Sequence, residues 1–502
     1  MAGPAVRQGW AWGLGLRTAV GFAAVITLWR ALLVAFTPLE LYPDEAQYWT
    51  WAQSLDWGYV SKPPLIAGLI AVVTAVLGDA TWAIRAPGPI LHFATAVLLG
   101  LCGRALGAPR AGAWACAIYV SAPGVWIGGM VLSTATVMTP LAALALLALA
   151  RLRDDPRSWG WAVSLGVAFG LGFLAKYAMV YAAIGLSLGL ALDAKLRRSL
   201  LRAQGALALV IAMALIAPNV LWNLQTGFAT VSHTAENANW ADARFDVREL
   251  GGFLIDQFYF VGPAALVIAG LGAARALAGP DRDRWAWLVA FAAPPLAIVA
   301  IQAFISRAHA NWAAAALPAA FLLAGYWLAQ RPRPAWLSGL VFAPPLMIAA
   351  VWSAVVLSPG FIDAMGWSNV SKRVRGWEAT TQALAQRCAR IGCATVVTDD
   401  RFVFYAAHYY APEIADKLVM WSQYARPRNH AELIAPLTRG AEGPLLVAVS
   451  KSHHAAIAAP DFAERAALAP LQIGLGGDKV RSVTLWRASA YAPQLRTPST
   501  LD

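Results

Sequence analysis

Charge is what this sequence has least of. Asp, Glu, Lys and Arg make up 13% of its 502 residues, against about 25% in an average soluble domain. Cysteine is scarce as well: four residues do not make a disulfide framework, and no Cys/His spacing has the form of a metal site. Tandem repeats and low-complexity tracts are missing, which excludes solenoids and long disordered linkers. Hydrophobic residues make up 59% of the chain and the mean hydropathy is +0.55. These values define a polytopic membrane protein. The net charge of +12 would suit a nucleic-acid binder, but the Arg and Lys excess lies in short loops between apolar runs. That is the positive-inside pattern, and no nucleic-acid partner is expected. Twenty-three tryptophans suit a large membrane-interface surface. Residues 1–36 read as a signal anchor: Arg7 and Arg17 precede an apolar run too long for a cleaved signal, and no small-residue cleavage site follows.

A membrane span needs about 20 apolar residues. Runs that meet this need are 18–36, 87–106, 111–128, 132–150, 159–175, 177–194, 203–221, 250–275, 285–305, 310–329 and 335–357. The run 64–78 is apolar but short. Charge parity assigns it. If it does not cross and the N-terminus is cytoplasmic, the cytoplasmic loops hold Arg104, Arg110, Arg151, Arg153, Arg157, Lys195, Arg197, Arg198, Arg202, Arg275, Arg282, Arg284, Arg331 and Arg333. The opposite loops then hold only Lys62, Arg85, Lys176, Arg244, Arg248 and Arg307. A crossing at 64–78 would reverse the bias, so this run reads as a juxtamembrane helix on the outer side. About eleven spans are expected, with the C-terminus outside.

The expected fold is therefore mainly α in residues 1–357, followed by a small α/β domain over 358–490 and a polar tail over 491–502. In the α/β domain, 394–398, 445–449 and 483–486 read as strands, and 377–390 and 461–468 as helices. Cys388 and Cys393 lie five apart there, and a disulfide between them is expected in an oxidising compartment.

The chemistry-bearing residues gather on the outer face. The stretch Tyr42 to Leu65 holds Asp44, Glu45, Tyr59, Lys62 and the Pro63–Pro64 pair. A carboxylate partly withdrawn from water serves as a general base. A fixed ammonium beside it holds a phosphate at headgroup level, and Arg85, Lys176 and Arg307 are further cations on this face. Acid and cations so placed suit a sugar joined to a lipid phosphate, the base activating the acceptor hydroxyl and the cations stabilising the departing phosphate. Taken singly, Asp44 and Glu45 read equally as a helix N-terminal acid pair, and Lys62 and Arg307 as side chains snorkelling to the interface.

Two paired motifs raise the specificity. Pro43-Asp44-Glu45-Ala46-Gln47-Tyr48 followed by Tyr59-Val60-Ser61-Lys62-Pro63-Pro64-Leu65 resembles the first outer loop of the GT-C glycosyltransferases. The branch in question contains the lipid A aminoarabinose transferases, the dolichyl-phosphate-mannose protein mannosyltransferases and the lipid A galacturonosyltransferases. Leu174-Ala175-Lys176-Tyr177 and His309-Ala310-Asn311-Trp312 resemble it too, and the likeness runs over about residues 18–330. The resemblance implies that Asp44 is the catalytic acid after the first span and that Lys62 contacts the carrier phosphate, with Tyr59 three residues before it. Glu45, Arg85, Lys176, Arg307, His309 and Asn311 are the further expected substrate contacts. The resemblance also implies juxtamembrane helices, an inverting transfer and a polyprenyl-phosphate sugar donor. One departure stands out. Many relatives carry a second acid in the next outer loop, whereas Ser133 to Pro140 places Met138 there. A metal bridging two acidic loops would lack that ligand, so neither a metal nor another cofactor is expected. Glu45 and Asp256 are the alternative acids for that place.

The function expected is thus sugar transfer from undecaprenyl phosphate at the periplasmic face of a bacterial inner membrane, by a monomer. The acceptor is lipid A, another glycolipid, a polysaccharide or protein. The competing classes are a transporter or flippase for lipid-linked sugars, which would want mid-membrane charges such as Arg30, and a non-catalytic scaffold, which leaves the paired motifs without a purpose.

Overall fold

The computed structural model describes residues 15–240, 245–331, 335–441 and 443–494. Arg7, Arg244, Arg333 and most of the tail 491–502 lie outside the described residues.

Apolar runs rich in Ala, Leu and Val form the helices, and several start with Pro at the first turn, where its missing N–H costs nothing. The chain opens with α1 (Leu16–Phe36), α2 (Pro43–Ala52), α3 (Leu65–Leu77), α4 (Thr81–Arg85), α5 (Pro87–Ala105), α6 (Pro109–Ser121) and α7 (Pro123–Gly128). Next come α8 (Thr134–Asp154), α9 (Trp159–Ala175), α10 (Val180–Leu192), α11 (Ala194–Leu200), α12 (Ala203–Gln225) and α13 (Ala229–Ala238). The membrane part closes with α14 (Val247–Val261), α15 (Pro263–Ala278), α16 (Arg282–Ile305), α17 (Leu317–Ala329) and α18 (Ala335–Leu357). Small residues let these helices approach closely. A Cβ on Gly103 of α5 would collide with the Gly112 backbone of α6.

Seven helices among the described residues are long and apolar enough to cross a membrane, or up to nine if two bent pairs each count as one. The expected number of eleven is not confirmed, and local breaks interrupt several of the expected runs. Pro123 divides the run 111–128 into α6 and α7. Gly262, at φ 96°, and Pro263 divide the run 250–275, so that α14 and α15 meet at 99°. Tyr177–Leu192 and Ala194–Leu200 meet at 117°. The helix α9, at 17 residues, is a shorter apolar helix. The run 64–78 forms the helix α3, with 13 residues. At 1.5 Å per residue it reaches about 20 Å, short of a hydrocarbon core of about 30 Å. Ile66, Ala67 and Ile70 face the protein, while Val72 and Val76 are exposed.

After the short helices α19 (Pro359–Ala364) and α20 (Ser368–Ser371), the C-terminal part folds as α/β. Its elements are α21 (Trp377–Ile391), β1 (Thr395–Thr398), α22 (Arg401–Tyr410), β2 (Leu418–Met420), α23 (His430–Ile434), β3 (Leu445–Val449), α24 (Ser452–Ala458), β4 (Phe462–Gly474) and β5 (Val480–Tyr491). The sheet order is β2-β1-β3-β5-β4, parallel across β2, β1 and β3 and antiparallel across β5 and β4. The expected helix at 461–468 is instead part of β4. Ala, Glu, Arg and Leu favour a helix there on intrinsic preference. Pairing with β5 along its whole length overrides that preference. Cys388 and Cys393 flank the end of α21, their sulfurs bonded and their Cα atoms 4.9 Å apart. Gly392 turns the chain between them at φ 63°.

Candidate active site

Pro43 starts α2 after an extended Tyr42, and Glu45 reaches back to accept from the Tyr42 N–H at 2.9 Å. Glu45 is fully buried and so, nearly, is Arg85. The Arg85 Nη2 lies 2.8 Å from Glu45 Oε2, and its Nε is 3.1 Å from both carboxylate oxygens. The remaining Arg85 donors go to the carbonyls of Leu39 and Glu40, and Glu45 Oε1 also accepts from the Leu132 N–H. The pair therefore ties α2, α4 and the segment before α8 together. Both groups have their hydrogen-bonding capacity taken up internally, so the structure does not bring them to an open surface.

Asp44 points elsewhere. Its side chain is 37% exposed and stands 4.0 Å from Nη2 of Arg401, itself 31% exposed. Lys62 shares this neighbourhood. It is fixed by a tight turn in which the Tyr59 N–H donates to the Lys62 carbonyl at 3.1 Å and the Lys62 N–H to the Tyr59 carbonyl at 3.2 Å. Pro63 and Pro64 then restrict the backbone. The Tyr59 ring lies flat on Trp51, 4.1 Å between centroids, with the His430 ring edge-on to both. Tyr59 thus holds the shape of the turn. Desolvation pulls the Lys62 ammonium below its usual range; the Asp44 charge opposes this and the Arg401 charge adds to it.

Lys176, at the end of α9, donates to the Asn311 carbonyl at 3.0 Å. Its side chain keeps a partly open face, yet desolvation, helped by repulsion from Lys62, brings it down to about 7. Asp44, Lys62, Lys176 and the backbone of Asn311 are thereby gathered in one region. Arg307 and His309 form a second, exposed group. His309 stands edge-on to Trp312 and is lowered chiefly by desolvation, then by Arg307 and Arg373. Arg373 also donates to the Tyr42 hydroxyl at 2.8 Å, which links this group to the first loop. Met138 is buried in α8, and Asp256 is exposed and acts on His309. Beside Tyr177 lies an apolar cavity of about 780 Å³, lined by Phe173, Val180, Phe228, Val231 and Trp240 among others.

Sequence reasoning missed the contribution of the C-terminal domain. Its helix α22 lies against α2. Trp51 donates to the Tyr405 hydroxyl at 3.3 Å, the Tyr409 hydroxyl donates to the Asp79 carbonyl at 2.6 Å, and the Leu41 N–H donates to the Tyr410 hydroxyl at 2.7 Å. Farther along, Arg428 pairs with Glu236 of α13 at 3.2 Å, and His233 meets the Arg428 carbonyl at 3.1 Å. The aromatic run Phe402-Val403-Phe404-Tyr405 to Tyr409-Tyr410 was the available signal, since a helix with that many rings needs a large partner surface.

A bundle of apolar helices with a short apolar helix, a half-open acid and a lysine turn, capped by a small sheet domain, defines the class: a membrane protein of the GT-C fold. Residues 61–222 match the family described as dolichyl-phosphate-mannose-protein mannosyltransferase. The chain is 29% identical over 479 residues to the lipid A galacturonosyltransferase RgtD of Rhizobium johnstonii, covering 95% of this chain and 98% of that one. Its fold is similar to that of ArnT from Cupriavidus metallidurans bound to undecaprenyl phosphate, with a TM-score of 0.64, 16% identity and coverage of 95% and 99% of the two chains. It is also similar to the apo oligosaccharyltransferase of Archaeoglobus fulgidus, with a TM-score of 0.51, 12% identity and coverage of 82% and 64%. The resemblance carried by the two loop motifs extends along the chain: over nearly its whole length it is similar to proteins of that glycosyltransferase branch, and its fold is that of the GT-C proteins.

Proposed function

We propose that this protein transfers a sugar from a polyprenyl phosphate, with inversion, to a glycolipid of the lipid A class at the outer face of the inner membrane. The observation that carries the reading is the meeting of a half-open carboxylate, Asp44, with a fixed and partly desolvated lysine, Lys62, at the end of one short turn. Asp44 takes the proton of the acceptor hydroxyl. That oxygen attacks the anomeric carbon, and the bond from this carbon to the phosphate oxygen breaks. The carrier phosphate leaves with the electron pair, its charge met by Lys62 and Lys176. The apolar cavity beside Tyr177 has the chemistry an isoprenoid chain takes. Similarity to a lipid A galacturonosyltransferase over nearly the whole chain favours lipid A over polysaccharide or protein as acceptor.

A transporter reading would rest on Arg30. That residue is fully buried, donates to the Val120 carbonyl and lies over the Trp126 ring at 4.7 Å. It is packed between α1, α6 and α7 with no exposed surface, which favours the enzyme. Mass spectrometry of envelope glycolipids from cells with and without the protein tests the proposal: one sugar mass should disappear with the gene. Unchanged glycolipids would sink it. The orientation, N-terminus in and C-terminus out, is checked by labelling introduced cysteines. Sites near Asp155 and Asp281 should need permeabilised membranes and a site near Asp79 should not; the reverse pattern would invert the assignment.

A further inference from the structure

The C-terminal domain turns one end of its sheet toward the membrane part. The strands β2, β1 and β3 run parallel, and at the carboxyl end of the central strand β1 the chain continues as Asp399-Asp400-Arg401. Carboxyl ends of parallel strands are where open α/β sheets gather their ligand-binding groups. Here Asp399 is spent inside the domain, accepting from the N–H groups of Ser450 and Lys451 and from His454. Asp400 caps α22 by accepting from the Phe402 N–H at 2.9 Å. Arg401 is left as the group that faces out of the domain, toward Asp44 at 4.0 Å. The three tyrosine contacts of α22 hold it there.

The charges around Asp44 do not balance. Arg401 stands 4.0 Å from it, Asp44 and Arg401 both act on Lys62, and Lys62 acts in turn on Lys176. The nearby Glu236 is paired with Arg428, and Glu45 with Arg85. Cations crowded into a partly desolvated region repel one another, and only an anion offsets that cost. We propose that Arg401, supplied by the C-terminal domain, is a phosphate-binding residue of the transfer site, placed to take the carrier phosphate together with Lys62. This rests on the glycosyltransferase reading above. A planar guanidinium adds two parallel hydrogen bonds that an ammonium does not, so it fixes the orientation of the phosphate as well as its charge. The C-terminal domain is then part of the active site and not an appendage. The phosphate meant is that of the carrier lipid; a phosphate on the acceptor glycolipid has the same chemistry.

The test uses the full-length protein in lipid nanodiscs, with undecaprenyl phosphate and its neutral alcohol undecaprenol as probes. Wild type should bind the phosphate more tightly than the alcohol. Arg401→Gln should lose about tenfold or more of the phosphate affinity and keep the alcohol affinity, and Arg401→Lys should recover part of the loss. Donor KM should rise in Arg401→Gln while acceptor KM stays constant. An unchanged preference for the phosphate in Arg401→Gln would overturn the assignment and leave the function reading standing. Equal loss for both lipids would make Arg401 structural, and a change confined to acceptor KM would place it on the acceptor; either overturns the proposal. A wild type that does not distinguish phosphate from alcohol would instead remove the function reading.

Discussion

Asp44 and Glu45 are consecutive residues of the first turn of α2 and point into opposite environments. Glu45 is sealed against Arg85 with every oxygen bonded, while Asp44 is half-open and faces Arg401 and Lys62. The helix geometry separates them: neighbouring positions on a helix stand about 100° apart and cannot share a face. One acid builds the loop, and the other is left to act.

Exchanging the two acids should therefore have opposite consequences. Glu45→Gln leaves the Arg85 charge buried without its partner and should cost about 3–5 kcal/mol of stability. Asp44→Asn should change stability by less than about 0.5 kcal/mol, as expected at a half-exposed site. Denaturation of the two purified variants in detergent checks this, and equal losses would contradict the division of roles.

Lys62 should act on both donor binding and departure of the phosphate. Lys62→Ala is expected to raise donor KM and lower kcat, and Lys62→Arg to recover part of both, because charge matters along with geometry. Donor titration in nanodiscs measures each. Unchanged constants in the alanine variant would reduce Lys62 to a side chain snorkelling to the interface.

The Lys176 ammonium, lowered to about 7 from an ordinary 10.5, gives a pH signature. Its folded value is below the unfolded one. The cost of burying the charge is thus fully present below about 7 and disappears above 10.5, so this group's contribution to stability rises with pH between them. Phosphate binding has the reverse dependence, since only the charged form attracts an anion. Donor KM should climb as pH passes about 7, and Lys176→Met should abolish that step. A step that survives in the methionine variant belongs to another group.

The first loop was legible because its chemistry is local. Asp44, Lys62 and the two prolines lie within one short stretch, and their order alone suggested an acid beside a fixed cation. The short run 64–78 was legible as a helix of its own, too short for a span. What was not legible comes from distance or from competition. Nothing near Arg85 in the sequence says that it closes on Glu45, 40 positions away. Arg401 meets Asp44 across more than half the chain, so no spacing rule could pair them. The segment 462–474 follows its strand partner and not its own helical preference. The break at Gly262–Pro263 was visible as residues, but apolar composition outweighed it in counting spans.

The central claim is that Asp44 is the base of a sugar transfer from a lipid phosphate. The most direct measurement is turnover by purified wild-type protein and Asp44→Asn in nanodiscs, with undecaprenyl-phosphate-linked sugars as donors and a lipid A acceptor. Wild type should transfer sugar, and Asp44→Asn should insert and fold normally while turning over about a hundredfold more slowly or worse. Near-normal turnover by Asp44→Asn would contradict the account.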